Sequence, residues 1–337
     1  MAFLRFLLFF GILVSFSPQL LTTAQVINYF GVAFSPYVKN APFPNWDTYT
    51  LEEIKQMLSI VLTKHNAVSS YGMGVASYNN GKNWDQCDSN CLISRAAAHI
   101  NRDHNSVVLS VSQGIYQHDD GGLMSREINN AFSAAQDANT IFGGTVWGLV
   151  FTNEFVTDSS NGPRVLQMIR DNKARAHGMN LRVGTRVHTC GEIWGGNNQA
   201  ILQQIAAESD FIMCNLYPPY NANDPARAVQ AISDAYYSAR DGFWRTNPQL
   251  EVIIGETGWA SEGETFNNAV NTIENEKRFW EGMRDWSSAN RVKVQMFEAF
   301  DEPWKTGMEG EKHFGWWYRP NNNEARYIEK ATGQVYQ

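Results

Sequence analysis

Eight short runs of β-branched or apolar residues recur along the chain at nearly even intervals, and this spacing constrains the fold most. The runs are Val26–Phe34, Ala67–Tyr71, Ser106–Val111, Thr145–Thr152, Leu181–Val187, Asp210–Leu216, Glu251–Gly255 and Lys293–Phe300. Their starts lie roughly 30 to 40 residues apart, about the length of one strand–helix unit. Amphipathic stretches fill the intervals. Thr50-x-x-Glu53 has the form of a capping box, and Ile54, Met57, Leu58, Val61 and Leu62 then fall on one helical face. Ile128, Ala131, Phe132 and Ala135 repeat that spacing, as do Val165, Met168 and Ile169, and then Ile201, Ile205 and Ala206. Ala228–Ala239 and Thr272–Trp286 complete the alternation. Strands alternating with helices imply a parallel sheet. Eight such units imply an α/β fold closed into a (β/α)8 TIM barrel. An open doubly wound sheet is the competing arrangement, but no Gly-x-Gly-x-x-Gly turn follows the first run.

A length of 337 residues suits one such barrel. The first residues read as a signal peptide over 1–24. Arg5 supplies the positive end, Phe6–Val14 the apolar stretch, and Thr22-Thr23-Ala24 a small-residue cleavage site. Ser15, Ser17, Pro18 and Gln19 cut the apolar run below the length that spans a membrane. No linker, charge block or low-complexity segment follows, so residues 25–337 are expected to form a single secreted catalytic domain that acts as a monomer. The net charge of -7, with no Lys/Arg run, argues against nucleic acid or an anionic membrane as partner. Secretion permits disulfides between Cys87, Cys91, Cys190 and Cys214. Cys87 and Cys91 are close enough for a small loop staple, but all three full pairings stay open. A zinc site there lacks a His at ligand spacing.

Functional side chains of such a barrel sit where strands end. The fourth run ends Phe151-Thr152-Asn153-Glu154 and the seventh continues Gly255-Glu256-Thr257-Gly258-Trp259. Each places a glutamate where an apolar strand breaks into a loop, and both fall on the same rim. Two facing carboxylates are what glycoside cleavage needs, one protonated to donate and one ionised to attack. A surface ion pair is the alternative for either glutamate taken singly. His118-Asp119-Asp120 reads as a solvated turn in preference to a metal site, and His188, after the fifth run, has no partner identifiable from the sequence.

Val252-Ile-Ile-Gly-Glu-Thr-Gly-Trp-Ala-Ser261 resembles the nucleophile motif of glycoside hydrolase family 17, the endo-β-1,3-glucanases and their relatives. Met296-Phe-Glu-Ala-Phe-Asp-Glu-Pro-Trp-Lys305 resembles that family's eighth-strand motif. Asn153-Glu154, Asn215-Leu-Tyr-Pro218 and Glu311-Lys-His-Phe-Gly315 resemble its acid/base, sixth-strand and closing segments, so the likeness runs from about residue 28 to 317. The resemblance implies Glu256 as nucleophile and Glu154 as acid/base. It implies substrate contacts from Asn153 and a polar cluster of Glu302, Lys305 and Glu311 beside the nucleophile. Tyr71 and Tyr217 match rim tyrosines of the family. Trp259 and Trp304 have flat faces suited to sugar rings, with core packing as the alternative. Two departures stand out. The family usually has Gly before Asn-Glu where this chain has Thr152, and Arg before the second-strand Tyr where it has Ser69-Ser70.

The implied activity is retaining cleavage of β-1,3-glucan, with a polysaccharide as the partner. A glucanosyltransferase on the same intermediate, a non-catalytic glucan-binding protein, and another retaining barrel glycosidase are the alternatives. No cofactor is implied, because the two carboxylates and water suffice.

Overall fold

Strand β1, Phe30–Ala33, pairs in parallel with β2, Ala67–Ser69, and with β8, Val294–Met296, so the first and last strands of the sheet meet. The computed structural model describes residues 29–40, 48–74, 89–156, 160–188, 190, 199–218, 223–265 and 269–337. Between β2 and β8 run β3 (Ser110–Ile115), β4 (Val146–Asn153), β5 (Arg182–His188), β6 (Phe211–Asn215) and β7 (Glu251–Thr257). Each is parallel to its neighbour, and the eight close into a barrel in sequence order. The expected (β/α)8 architecture is therefore present. The proposed leader over residues 1–24 lies outside the described residues.

Among the described residues, seven α-helices wrap the strands: α1 (Leu51–Val61), α2 (Ile93–Asp103), α3 (Gly121–Ile141), α4 (Asn161–Gly178), α5 (Gln199–Glu208), α6 (Pro225–Trp244) and α7 (Ile273–Asn290). The capping box before α1 is made as the sequence predicts. The Thr50 hydroxyl accepts from the Glu53 backbone N–H, and the Glu53 carboxylate accepts from that of Thr50. Helix α2 was not expected. It buries a face of Ile93, Ala96, Ala97 and Ile100, which fall at the i, i+3, i+4, i+7 spacing of an amphipathic helix. Among the described residues no α-helix follows β8. A small antiparallel sheet stands there instead, ordered β11–β10–β9 (Val335–Tyr336, Tyr327–Glu329, Trp317–Tyr318). Lys330 pins it to the barrel through Asp301 at 2.7 Å and Glu276 of α7 at 3.7 Å.

The third strand is displaced from its expected place. Val107–Leu109 form the approach from α2, where the Asn101 side-chain carbonyl accepts from the Val108 and Leu109 amides, both at 2.9 Å. The strand itself runs on through Ser112 and Gln113, polar residues buried in the barrel that interrupt the apolar pattern.

Cys190 and Cys214 are joined in a disulfide that ties the segment after β5 to the end of β6. Cys91 is also disulfide-bonded. No helix among the described residues is long and apolar enough to cross a membrane.

Candidate active site

Strands β4 and β7 each carry an extra residue just before a glutamate. On β4, Val150 pairs with Gly184 of β5 but Asn153 pairs with Arg186, so three steps oppose two. On β7, Ile254 pairs with Cys214 and Glu256 with Asn215, which leaves Gly255 unopposed. Bulges of this kind bend a strand and re-aim the next side chain. Thr152 absorbs the β4 irregularity at φ 68, and Glu154 follows at φ 50. Left-handed backbone is unusual for a β-branched residue, so the glycine usual in the family at this position has a physical reason. The Thr152 hydroxyl lies 3.2 Å from that of Thr185. On β7 a side chain in place of Gly255 would come within 2.7 Å of Met213 Cβ and 3.2 Å of Arg186 Cγ, so that bulge requires glycine.

Glu256 is 5% exposed. Its Oε1 accepts from the Tyr71 hydroxyl at 3.0 Å and from Arg186 Nη1 at 3.3 Å, and its Oε2 accepts from the Tyr217 hydroxyl at 3.0 Å. Burial lifts its pKa above the usual carboxylate range. Arg186 opposes that, nearby Glu154 adds to it, and the two tyrosine hydrogen bonds pull it back down. Burial, reinforced by Glu256, pushes both tyrosine hydroxyls well above their ordinary pKa, so they remain donors. Glu154 sits in a different setting. Its side chain is 34% exposed, and its Oε1 accepts from Asn215 Nδ2 at 2.8 Å and lies 3.0 Å from His188 Nδ1. His188 therefore has a partner that the sequence did not disclose. Asn153 is held by Gln117, whose Oε1 accepts from the Asn153 backbone N–H at 3.3 Å.

On the β8 side, Lys305 Nζ donates to Glu298 at 2.8 Å and pairs with Glu302 at 3.0 Å. Burial pushes the Lys305 ammonium down, but Glu298 and Glu302 outweigh it and hold the group firmly charged. Burial, with Glu302 adding to it, lifts Glu298 well above the carboxylate range. Glu298 lies within the eighth-strand motif, but the family match on this side of the barrel points to Glu302 and Glu311 and not to it.

All nine residues proposed from sequence line one cleft of about 770 Å³ on the rim where these strands end. Trp259 does so with little face to offer. It is 2% exposed, its indole N–H donates to the Val270 carbonyl at 3.1 Å, and its ring packs against Phe279. Core packing thus accounts for Trp259, whereas Trp304 and the 47%-exposed Tyr116 present more ring surface to the cleft. Glu311 lines the cleft from the short turn Glu309–Lys312. The His118–Asp120 segment has structural partners: Asp120 caps α3, Asp119 meets Arg164 at 3.1 Å, and His118 meets Glu127 at 3.5 Å. No cluster among the described residues is arranged to hold a metal.

A closed β/α barrel with glutamates at the ends of β4 and β7, sharing one open cleft, has the build of a glycoside hydrolase. Residues 31–315 match the family model of the BtgE/BtgC glycoside hydrolase domain, and the chain belongs to that family. The motif resemblance to family 17 agrees with this placement. The chain is 30% identical over 171 residues to a glucan 1,3-β-glucosidase of Saccharomyces cerevisiae, covering 48% of this chain and 51% of that protein. It is 32% identical over 91 residues to a Vitis vinifera glucan endo-1,3-β-glucosidase, a quarter of each chain. These matches span about half or less of the curated relatives' length. Among solved structures, an endo-laminarinase from Formosa superimposes with a TM-score of 0.65 at 17% identity, covering 86% of this chain and 83% of its own. A β-1,3-glucanosyltransferase from Rhizomucor miehei gives 0.61 at 20% identity, covering 86% and 92%.

Proposed function

We propose that the chain is a secreted, monomeric, retaining glycoside hydrolase that cleaves β-1,3-glucan internally, with Glu256 as nucleophile and Glu154 as acid/base. The unequal setting of the two carboxylates carries this reading. Glu256 is buried, which lifts its pKa, and three donors at its two oxygens oppose that lift and fix the direction of the carboxylate. Glu154 is open to the cleft and to solvent, as a group must be that gives up and regains a proton in each cycle.

Glu154 donates its proton to the glycosidic oxygen as Glu256 attacks the anomeric carbon, the C–O bond breaks, and a glycosyl ester forms. Water then attacks that carbon, Glu154 takes the water's proton, and Glu256 leaves as carboxylate. Glu302, Glu311 and Asn153 line the cleft, and in this reading they hydrogen-bond sugar hydroxyls. Among the charged groups lining the cleft, Glu154, Glu256, Glu302 and Glu311 outnumber the cation Lys305. That balance suits an uncharged sugar and the positive charge that develops on its ring in the transition state.

The β-1,3-glucan assignment draws on the activities named for the relatives and on the two motifs around Glu256 and Glu302. The apolar leader and the Cys190–Cys214 disulfide support an oxidising, extracellular location. Product analysis on laminari-oligosaccharides tests the reading, with the native protein beside Glu256→Ala. Shorter products only from the native protein are expected. Products longer than the starting sugar would make the enzyme a glucanosyltransferase on the same intermediate. Binding without turnover by the native protein would make it a glucan-binding barrel.

A further inference from the structure

We propose that Arg186 of β5 is a positioning residue for this reaction: it fixes the Glu256 carboxylate in its attacking orientation and is itself anchored across the barrel by Ser69 of β2. The inference rests on reading Glu256 as the nucleophile.

Arg186 is fully buried in the barrel interior, which is a costly place for a guanidinium unless its charge and donors are used. Its Nη1 reaches both Glu256 Oε1 at 3.3 Å and Asn153 Oδ1 at 3.4 Å. It thereby links the strand ends that bear the two glutamates. Its Nη2 donates to the Ser69 hydroxyl and lies 3.9 Å from Met213 Sδ. The guanidinium also sits over the Tyr71 ring, 4.8 Å from its centre, and Tyr71 is itself a donor to Glu256. One planar group thus contacts the nucleophile, one of its two tyrosine donors and the asparagine preceding the acid/base. A lysine would bring the charge without the fork.

The space for this group is made by small residues on other strands. Gly255, the bulge residue beside Glu256, leaves room for the Arg186 stem. Ser69 is short enough to meet the guanidinium instead of displacing it. In the closed sheet β2 and β5 are three strands apart, so the arginine spans the lumen to reach Ser69. Ser69 and Ser70 are also where the sequence departs from the family pattern of an arginine before the second-strand tyrosine. An arginine at both 69 and 186 would put two cations into one buried space. The interior accommodates one guanidinium, and here it arrives from β5.

The test exchanges the donor strand. Arg186→Ser, Arg186→Lys, Ser69→Arg and the double variant Ser69→Arg/Arg186→Ser are compared with native protein and Glu256→Ala, using an aryl β-laminaribioside. Arg186→Ser is expected to lower kcat on the order of a hundredfold with KM little changed, because the lost contact acts on the chemical step. The acid limb of its pH profile is expected to move up. The groups facing Glu256 are Tyr71 after β2, Glu154 after β4, Arg186 on β5 and Tyr217 after β6, with Glu298 beyond Tyr71, and only Arg186 among them is a cation. Arg186→Lys should recover part of the pH shift and little of kcat. Ser69→Arg alone should lose activity, and the double variant should regain at least about tenfold over Arg186→Ser. A double variant no better than Arg186→Ser, or one that does not fold, overturns the proposal, since the lumen must accept the guanidinium from either strand. An Arg186→Ser variant with native kcat and pH profile also overturns it. If Glu256→Ala keeps native activity, the nucleophile assignment is what fails.

Discussion

The hydroxyls of Thr152 and Thr185 lie 3.2 Å apart in the barrel wall, and the contact holds a β-branched residue at φ 68 immediately before Asn153-Glu154. A left-handed non-glycine residue costs on the order of 1–3 kcal/mol. Glycine would remove that strain but would lose the hydroxyl contact and add unfolded-state entropy of about 0.5–1 kcal/mol. The terms nearly cancel, so Thr152→Gly is expected to stay within about 1 kcal/mol of native stability. Thr152→Val keeps the strain and leaves the Thr185 hydroxyl unpaired, at a cost of about 1–3 kcal/mol. Urea unfolding midpoints should rank native and Gly together above Val. A Gly variant less stable than the Val variant would refute the strain argument.

The pH dependence follows from Glu256. Its folded pKa is raised by burial against the pull of Arg186, and the group must be ionised to attack. Activity should therefore fall as pH drops through a value above the ordinary carboxylate range. Tyr71→Phe and Tyr217→Phe each remove a hydrogen bond to the charged form. Each should move the acid limb of kcat/KM to higher pH and lower kcat by roughly tenfold to a hundredfold. An acid limb that shifts to lower pH in either variant would mean that the hydroxyls do not stabilise the carboxylate.

The disulfide stands behind Glu154. Cys214 precedes Asn215, and Cys190 follows His188 by two residues; both of those neighbours contact Glu154. With a sequence separation of 24, a chain-entropy estimate gives about 3.5 kcal/mol of stabilisation. Cys190→Ala/Cys214→Ala should lower the unfolding midpoint accordingly and also reduce kcat, through loosened Asn215 and His188. Unchanged stability in the double variant would show that packing alone fixes these strand ends.

What the sequence disclosed and what it hid divide along physical lines. The capping box at Thr50 and the glutamate after β7 were legible because their signals are local: a side chain three residues from its partner, a charge ending an apolar run. Helix α2 has the same kind of local signal, Ile93, Ala96, Ala97 and Ile100 at helical spacing, in an otherwise polar stretch. The apolar pattern places strand β3 too early because Ser112 and Gln113, buried on its opposite faces, are polar. A barrel lumen lined by hydrogen-bonded side chains does not look like a core in one dimension. The departure at Ser69-Ser70 was visible, but its counterpart Arg186 lies 117 residues away and is brought to Ser69 only when the barrel closes. The same holds for His188 and Glu154, 34 residues apart. The bulges at Thr152 and Gly255 are features of strand register, which sequence spacing does not report.

The division of labour between the two glutamates is open to a direct stereochemical test. Glu256→Gly and Glu154→Gly are each supplied with sodium azide and an aryl β-laminaribioside whose leaving group needs no protonation. Without Glu256, azide takes the place of the nucleophile and attacks opposite the leaving group, so the α-glycosyl azide is expected. Without Glu154, Glu256 still forms the glycosyl ester, which azide opens from the other face to give the β-glycosyl azide. Proton NMR of the anomeric signal distinguishes the products. Opposite anomers from the two variants, in that order, are the predicted result. The same anomer from both, or the reverse order, would contradict the assignment of Glu256 as nucleophile and Glu154 as acid/base.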